Sequence, residues 1–208
     1  ATAGNAMWEG GLFDKSSRLS ENGSKINQFL CVASFAEYAV VPASGAVVIP
    51  KEMPLDRAAL LSCAVLTGYG AVMNTAKVKA GSSVAVFGCG GVGLNSVQGA
   101  RLAGAKTIIA VDISDEKLVI ATKLGATHTV NAIKEDPIAK VKEICGGADY
   151  VFDASGRETT ISQAWLSTGV QGQLTLVGLL KNGAQLTIDA GPFVNEQSIK
   201  GCRSEEHT

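Results

Sequence analysis

A doubly wound parallel α/β sheet, preceded by a smaller β-rich piece, is the fold class this sequence predicts. Three observations carry that expectation. From Val84 onward, short apolar runs alternate with segments of helical periodicity, the pattern of strands covered on both faces by crossover helices. The spacing Gly88-x-Gly90-x-x-Gly93 stands directly after the first of those runs and opens the first helical segment. The second run, "TIIAVD", ends in an acid, Asp112, 19 residues past Gly93. A chain of 208 residues with 46% hydrophobic content can fill such a core, which excludes disorder for most of it.

Taken in order, the opening "ATAGNAMWEGGLFDKSSRLSENGSK" is rich in Gly, Ser and Asn with few apolar anchors and reads as a long loop. From Phe29 to Ile49 the apolar stretches are strand-like and are broken by Pro42, Gly45 and Pro50, as in a β segment of barrel character. "LLSCAVL" reads as an apolar helical segment. "SVAVFG" is then a strand, and "GVGLNSVQGARLAG" a helix turning Val92, Val97, Ala100 and Leu102 toward one side. "TIIAVD" is the second strand. "SDEKLVIATKLGA" is a helix whose first turn holds Asp115 and Glu116, where acids suit the helix dipole. "HTV", "DPIAKVKEICGG", "ADYVFDASG", "ETTISQAWLS" and "QGQLTLVGLL" continue the alternation, and "AQLTID" and "SIKGC" offer a further turn or strand and the start of a sixth. The expected organisation is a β-rich part over residues 1–66 and a sheet domain over 67–202. The chain opens on Ala1 and ends "RSEEHT", the in-frame translation of a common sequencing-library adapter. Truncation at both ends is therefore expected, with 203–208 read as an artefact and His207 as carrying no function.

Eighteen Lys and Arg face nineteen Asp and Glu, a formal charge of -1, and no basic block is present. That balance offers no electrostatic footprint for nucleic acid or an anionic membrane. No stretch reaches the length of apolar residues needed for a membrane span, and no signal-peptide pattern is visible, so the cytoplasm is the default compartment. Five cysteines, at Cys31, Cys63, Cys89, Cys145 and Cys202, lack short paired spacings and do not form a disulfide framework.

The glycine loop is the sharpest motif. Gly88 permits a tight turn, Gly90 lets backbone approach a pyrophosphate, and Gly93 lets helix and strand pack closely, so that phosphates meet the helix N-terminus. An acid at Asp112 suits a ribose 2′-hydroxyl and repels a 2′-phosphate, which favours NAD over NADP; capping the helix from Asp115 is the plainer alternative, a local role Ser114 could share. Cys89, without a CxxC partner, reads as a small filler rather than a nucleophile. Lys117 could reach the adenosine ribose or simply face water. Cys63 lies in the apolar helical segment, where a lone cysteine is more often inert packing than a ligand. His128 opens a strand with no acid or cysteine at ligand spacing.

Together "LSCAVLTGYGAV", "AGSSVAVFGCGGVGLNSVQGARLAGAKTIIAVDISDEKL", "ATKLGATHTVNA" and "GGADYVFDASG" resemble the zinc-dependent medium-chain alcohol dehydrogenases. Upstream, "SFAEYAVVPASGAVVIPKEMPLDRAALL" is similar to that family's passage from catalytic to cofactor domain. The resemblance covers about residues 10 to 202 and implies a Rossmann NAD-binding domain behind part of a GroES-like catalytic domain. It implies that Cys63 is one catalytic zinc ligand, the upstream Cys and His ligands lying outside this sequence. It implies that Thr67 and Val92 press against the nicotinamide, and that Gly88, Gly90, Gly91 and Gly93 form the phosphate loop. Asp112 and Lys117 would hold the adenosine ribose, and Val177, Gly178 and Leu179 would contact the carboxamide end. The implied activity of the full-length parent, a homo-oligomer, is zinc-assisted hydride transfer from an alcohol to NAD, with an alcohol or aldehyde as the small-molecule partner. The 208-residue chain itself is expected to be inactive. The loop ahead of residue 30 resembles the long-loop members that include glutathione-dependent formaldehyde dehydrogenase. Two alternatives stand beside this: a zinc-free quinone oxidoreductase of the same superfamily, against which Cys63 and Asp112 count, and a non-enzymatic dinucleotide-binding domain.

Overall fold

The computed structural model describes residues 10–12, 14–41 and 43–202; the adapter-like 203–208 lie outside them. Two compact units divide between Met53 and Pro54. In the first, Leu19–Glu21 (β1) and Ser24–Ile26 (β2) form an antiparallel hairpin. Asn22 and Gly23 between them both take positive φ, +50° and +79°, the geometry of the two-residue turn that matches strand twist. The opening segment therefore contains a hairpin where the sequence suggested only loop. Conversely, the run from Phe29 to Ile49 forms no strand among the described residues, only short 3-10 turns at Phe29–Cys31 and Ala43–Gly45. Its β-branched and aromatic side chains suit a pleated surface, but a strand needs a partner ladder. None is paired with it, and Phe35, Tyr38, Val47 and Val48 stand exposed.

The second unit begins with a helical run, Leu55–Ala76 (α1), wound as π turns over Leu61–Val65 and Ala71–Ala76. A six-stranded sheet follows, built from Ser83–Phe87 (β3), Thr107–Asp112 (β4), His128–Asn131 (β5), Ala148–Asp153 (β6), Thr168–Leu176 (β7) and Ser198–Gly201 (β8). Every pairing is parallel, in the order β5-β4-β3-β6-β7-β8. Gly91–Leu102 (α2), Asp115–Leu124 (α3), Pro137–Cys145 (α4) and Glu158–Leu166 (α5) make the crossovers. Alternation along β3 feeds two cores. Val84 and Val86 point to a cluster with Val72, Val97 and Leu118, and Ala85 and Phe87 to one with Val141, Ile161 and Trp165.

Two elements depart from the sequence reading. Leu102 is exposed, because it falls about 200° round α2 from Ala100 at 3.6 residues per turn; Gly93, Ser96, Val97 and Ala100 form the inner face instead. "AQLTID" forms no strand; it contributes Leu186 and Ile188 to the second cluster from a loop. That loop is pinned where Trp165, fully buried in α5, donates from Nε1 to the Asp189 carbonyl at 2.8 Å and rests its ring 4.9 Å from that of Phe193.

Among the described residues one helix, α1, has the length and the mean hydropathy, 1.3, to cross a membrane. Its small residues are spent on α2. A Cβ at Gly68 would come within 2.7 Å of the Asn95 Cβ, and the Ser96 hydroxyl donates to the Gly68 carbonyl at 3.2 Å. The glycine is what lets the two helices cross so closely.

Candidate dinucleotide site

Strand β3 has β4 on one side and β6 on the other, so successive crossovers leave it in opposite directions. The crevice at the carboxyl ends of such strands is where open α/β sheets bind ligands. A cleft of about 420 Å³ occupies that position, and its lining includes Gly88, Gly90, Asp112, Lys117, Arg157 and Thr160.

The glycine loop forms one wall. Gly88 follows β3 with φ +93°, its N–H donating to the Val111 carbonyl at 2.8 Å, and a Cβ there would stand 3.2 Å from the Ser155 nitrogen. Gly90 is the N-cap of α2. A Cβ on it would meet no protein atom, so the space in front of its backbone is open to the cleft, while the first N–H groups of α2 lack helical partners. At Gly93 a Cβ would collide with the Gly88 carbonyl, which explains why helix and turn fit only with glycine there. Gly91 lies beside α1, a Cβ on it coming 3.4 Å from the Ala64 Cβ.

Asp112 ends β4 and is nearly buried. Its Oδ2 accepts the Cys89 N–H at 2.7 Å and its Oδ1 the Ser114 N–H at 2.9 Å. The carboxylate thus ties the turn ahead of α3 and steadies the glycine loop at once. Each oxygen keeps a lone pair for another donor. Lys117, in the first turns of α3, lines the same cleft. The Cys89 thiol is fully buried, and its pKa is pushed up to about 12, first by burial and then by the Asp112 charge, against a lowering from Lys117.

Further along, Thr67 is buried in α1 with its hydroxyl oxygen lacking a hydrogen-bond partner. Val92 is half-buried at the start of α2, and its carbonyl faces Gly68. Val177, Gly178 and Leu179 follow β7, where the Val177 and Gly178 N–H groups both donate to the Asp153 carbonyl at 2.8 Å. Thr67, Val92, Gly93 and the 177–179 turn are not part of the cleft lining. Cys63 sits exposed on a π turn of α1. No group of three His, Cys, Asp or Glu that could hold a metal occurs among the described residues. A zinc site needs at least three protein ligands, so these residues alone do not fit the metal.

The sequence reading missed the opposite wall: Ser155, Arg157, Thr159, Thr160 and Gln163, from the end of β6 into α5. The signal was available in the topology, since the loop after β6 closes the crevice opposite the glycine turn. Asp153, which ends β6, was also passed over. Its carboxyl is raised above the ordinary 3.8, mainly by burial and in spite of hydrogen bonds from Ser155 and Gly156.

Comparison with known proteins agrees with this architecture. The family model described as zinc-binding dehydrogenase matches residues 91–207. Alcohol dehydrogenase-like 7 of Arabidopsis thaliana is 40% identical over 194 residues, covering 90% of this chain and 50% of that protein. Among solved structures, an alcohol dehydrogenase zinc-binding domain protein from Burkholderia ambifaria superposes with a TM-score of 0.88 at 37% identity, covering 94% of this chain and 54% of its own. Benzyl alcohol dehydrogenase from Acinetobacter calcoaceticus superposes with a TM-score of 0.84 at 32% identity, covering 91% and 54%. The chain spans about half the length of the curated relatives it matches. With a parallel six-stranded sheet, a glycine turn opening α2 and a matching family model over more than half its length, the chain belongs to the zinc-binding dehydrogenase family.

Proposed function

We propose that the cleft at the carboxyl ends of β3, β4 and β6 binds NAD, and that the whole protein is an oxidoreductase exchanging hydride between an alcohol or aldehyde and that cofactor in the cytoplasm. The observation that carries the reading is Asp112, an acid at the end of β4 that lines the same cleft as Gly88 and Gly90. The open space before Gly90 and the orphaned Thr67 hydroxyl are the features a dinucleotide would fill. Bound there, nicotinamide supplies the hydride acceptor. The α2 N-terminus receives the pyrophosphate, Asp112 and Lys117 hold the adenosine ribose, and Thr67, Val92 and the 177–179 turn fix the position of the nicotinamide ring. Cys63 is proposed as one thiolate ligand of a catalytic zinc, whose further ligands are not among the described residues. The alcohol substrate class rests on the relatives' names. Within it, thiol-adduct alcohols of the glutathione-dependent formaldehyde dehydrogenase kind are the narrower proposal.

Calorimetric titration of NAD and NADP into the wild type, Asp112→Asn and Asp112→Ala tests the assignment. A hydrogen bond to a charged group is worth roughly 1.5–3 kcal/mol. Asp112→Ala should therefore weaken NAD by about tenfold or more while narrowing the gap to NADP, with Asp112→Asn between. A wild type that binds NADP as tightly as NAD would overturn the role of Asp112.

A further inference from the structure

The carboxylate that the proposed chemistry leaves unused is Asp153. It is fully buried at the end of β6, between Phe87 of β3 and Leu176 of β7, and no cation pairs with it among the described residues. Burying an unpaired charge is costly unless hydrogen bonds compensate it. Here they converge from one loop: Oδ1 accepts the Ser155 hydroxyl at 2.7 Å and the Ser155 N–H at 3.3 Å, and Oδ2 accepts the Gly156 N–H at 3.0 Å. The Asp153 carbonyl accepts two further N–H groups, from Val177 and Gly178, both at 2.8 Å. One residue therefore holds both the loop after β6 and the turn after β7. The loops also interlock. A Cβ on Gly156, whose φ is +67°, would come within 2.8 Å of the Leu179 carbonyl carbon, and one on Gly178 within 2.7 Å of the Gly156 Cα. The Ser155 nitrogen stands against Gly88, and Ser155 and Arg157 line the cleft, so the placement of this loop sets the gap across from the glycine turn.

We propose that Asp153 is a positioning residue for dinucleotide binding: its carboxylate locks the 154–157 loop, and through it the 177–179 turn, at the spacing from the glycine loop that the cofactor requires. The proposal rests on the dinucleotide reading of the cleft. Raising of the Asp153 carboxyl by burial accords with a charge retained at a cost. A merely structural carboxylate on the same strand supplies the comparison, since Asp149, near the other end of β6, accepts the Ser83 N–H and hydroxyl at 2.7 and 2.8 Å, away from the cleft.

The test uses the 208-residue chain as wild type, Asp153→Asn, Ser155→Ala and Asp149→Asn. Folding is checked by circular dichroism, amide exchange is read at Ser155, Gly156, Val177 and Gly178 by NMR, and NADH affinity is measured by calorimetry. Asp153→Asn should speed exchange at those four amides and weaken NADH by about tenfold, the loss of hydrogen bonds to a charge. Asp149→Asn should lower the urea midpoint and leave NADH affinity within about twofold. If Asp153→Asn binds as wild type, or if Asp149→Asn weakens NADH equally, the positioning role is overturned. If Asp153→Asn fails to fold, Ser155→Ala decides: weaker NADH binding with faster exchange at Gly156 supports the role, and unchanged binding removes it. A wild type that binds no dinucleotide overturns the reading of the cleft itself, and this proposal falls with it.

Discussion

A thiol in the middle of the glycine turn has the location of a nucleophile, and Cys89 illustrates how burial decides its chemistry. Burial pushes its pKa up to about 12, which keeps the thiol protonated at neutral pH, and the thiolate is the reactive form. Cys63 is exposed. Iodoacetamide at pH 7, followed by peptide mass spectrometry, should therefore label Cys63 well before Cys89. Labelling of Cys89 first would mean that the loop opens far more readily than its packing implies. The same residue scale separates what could be read in advance from what could not. The acid at position 112 was legible from its distance to the glycines. Its two bonds to the Cys89 and Ser114 N–H groups were not, because they depend on how β3 and β4 lie side by side. Asp153 was illegible for the same reason, its five donors coming from two loops separated in sequence.

At the scale of elements, the strands and helices from Ser83 to Leu176 were legible because parallel strands buried on both faces are short apolar runs, and each helix between them buries one stripe. The hairpin Leu19–Ile26 was missed because both its strands are exposed and so carry no buried alternation; "ENG" was the available signal, through the positive φ that Asn and Gly tolerate. The run after Phe29 failed in the opposite sense, with strand-like composition but no ladder among its described residues. The crossing of α1 and α2 turns on one glycine. At Gly68 an added methyl would lie 2.7 Å from the Asn95 Cβ and 2.9 Å from the Ser96 nitrogen, distances that force the helices apart. Overpacking of this kind costs about 1–3 kcal/mol, against roughly 1 kcal/mol gained in helix propensity. Gly68→Ala should lower the urea midpoint, and an unchanged or higher midpoint would show that the helices yield there without penalty.

For the molecule as a whole, cohesion is uneven between the two units. The second holds both buried clusters around its sheet, whereas Phe35, Tyr38, Val47 and Val48 of the first stand in solvent. Amide exchange should follow that division, since local opening is easiest where buried contacts and ladders are few. Val84–Phe87 and Ile108–Val111 are expected to exchange last and residues 32–50 first, as read by mass spectrometry of peptic fragments. Slow exchange across 32–50 would contradict the absence of a ladder among the residues described there. The anchoring of Trp165 has a consequence of another kind. Its indole is sealed from water and bonded to the Asp189 carbonyl, on the helix from which Thr159, Thr160 and Gln163 wall the cleft. The chain holds two tryptophans, so Trp8→Phe leaves this one as the sole indole chromophore. Its emission overlaps the absorption band of a reduced nicotinamide ring, so if NADH fills the cleft as proposed, the helix that walls it would act as a built-in energy donor and occupancy would be read as light passed from protein to cofactor.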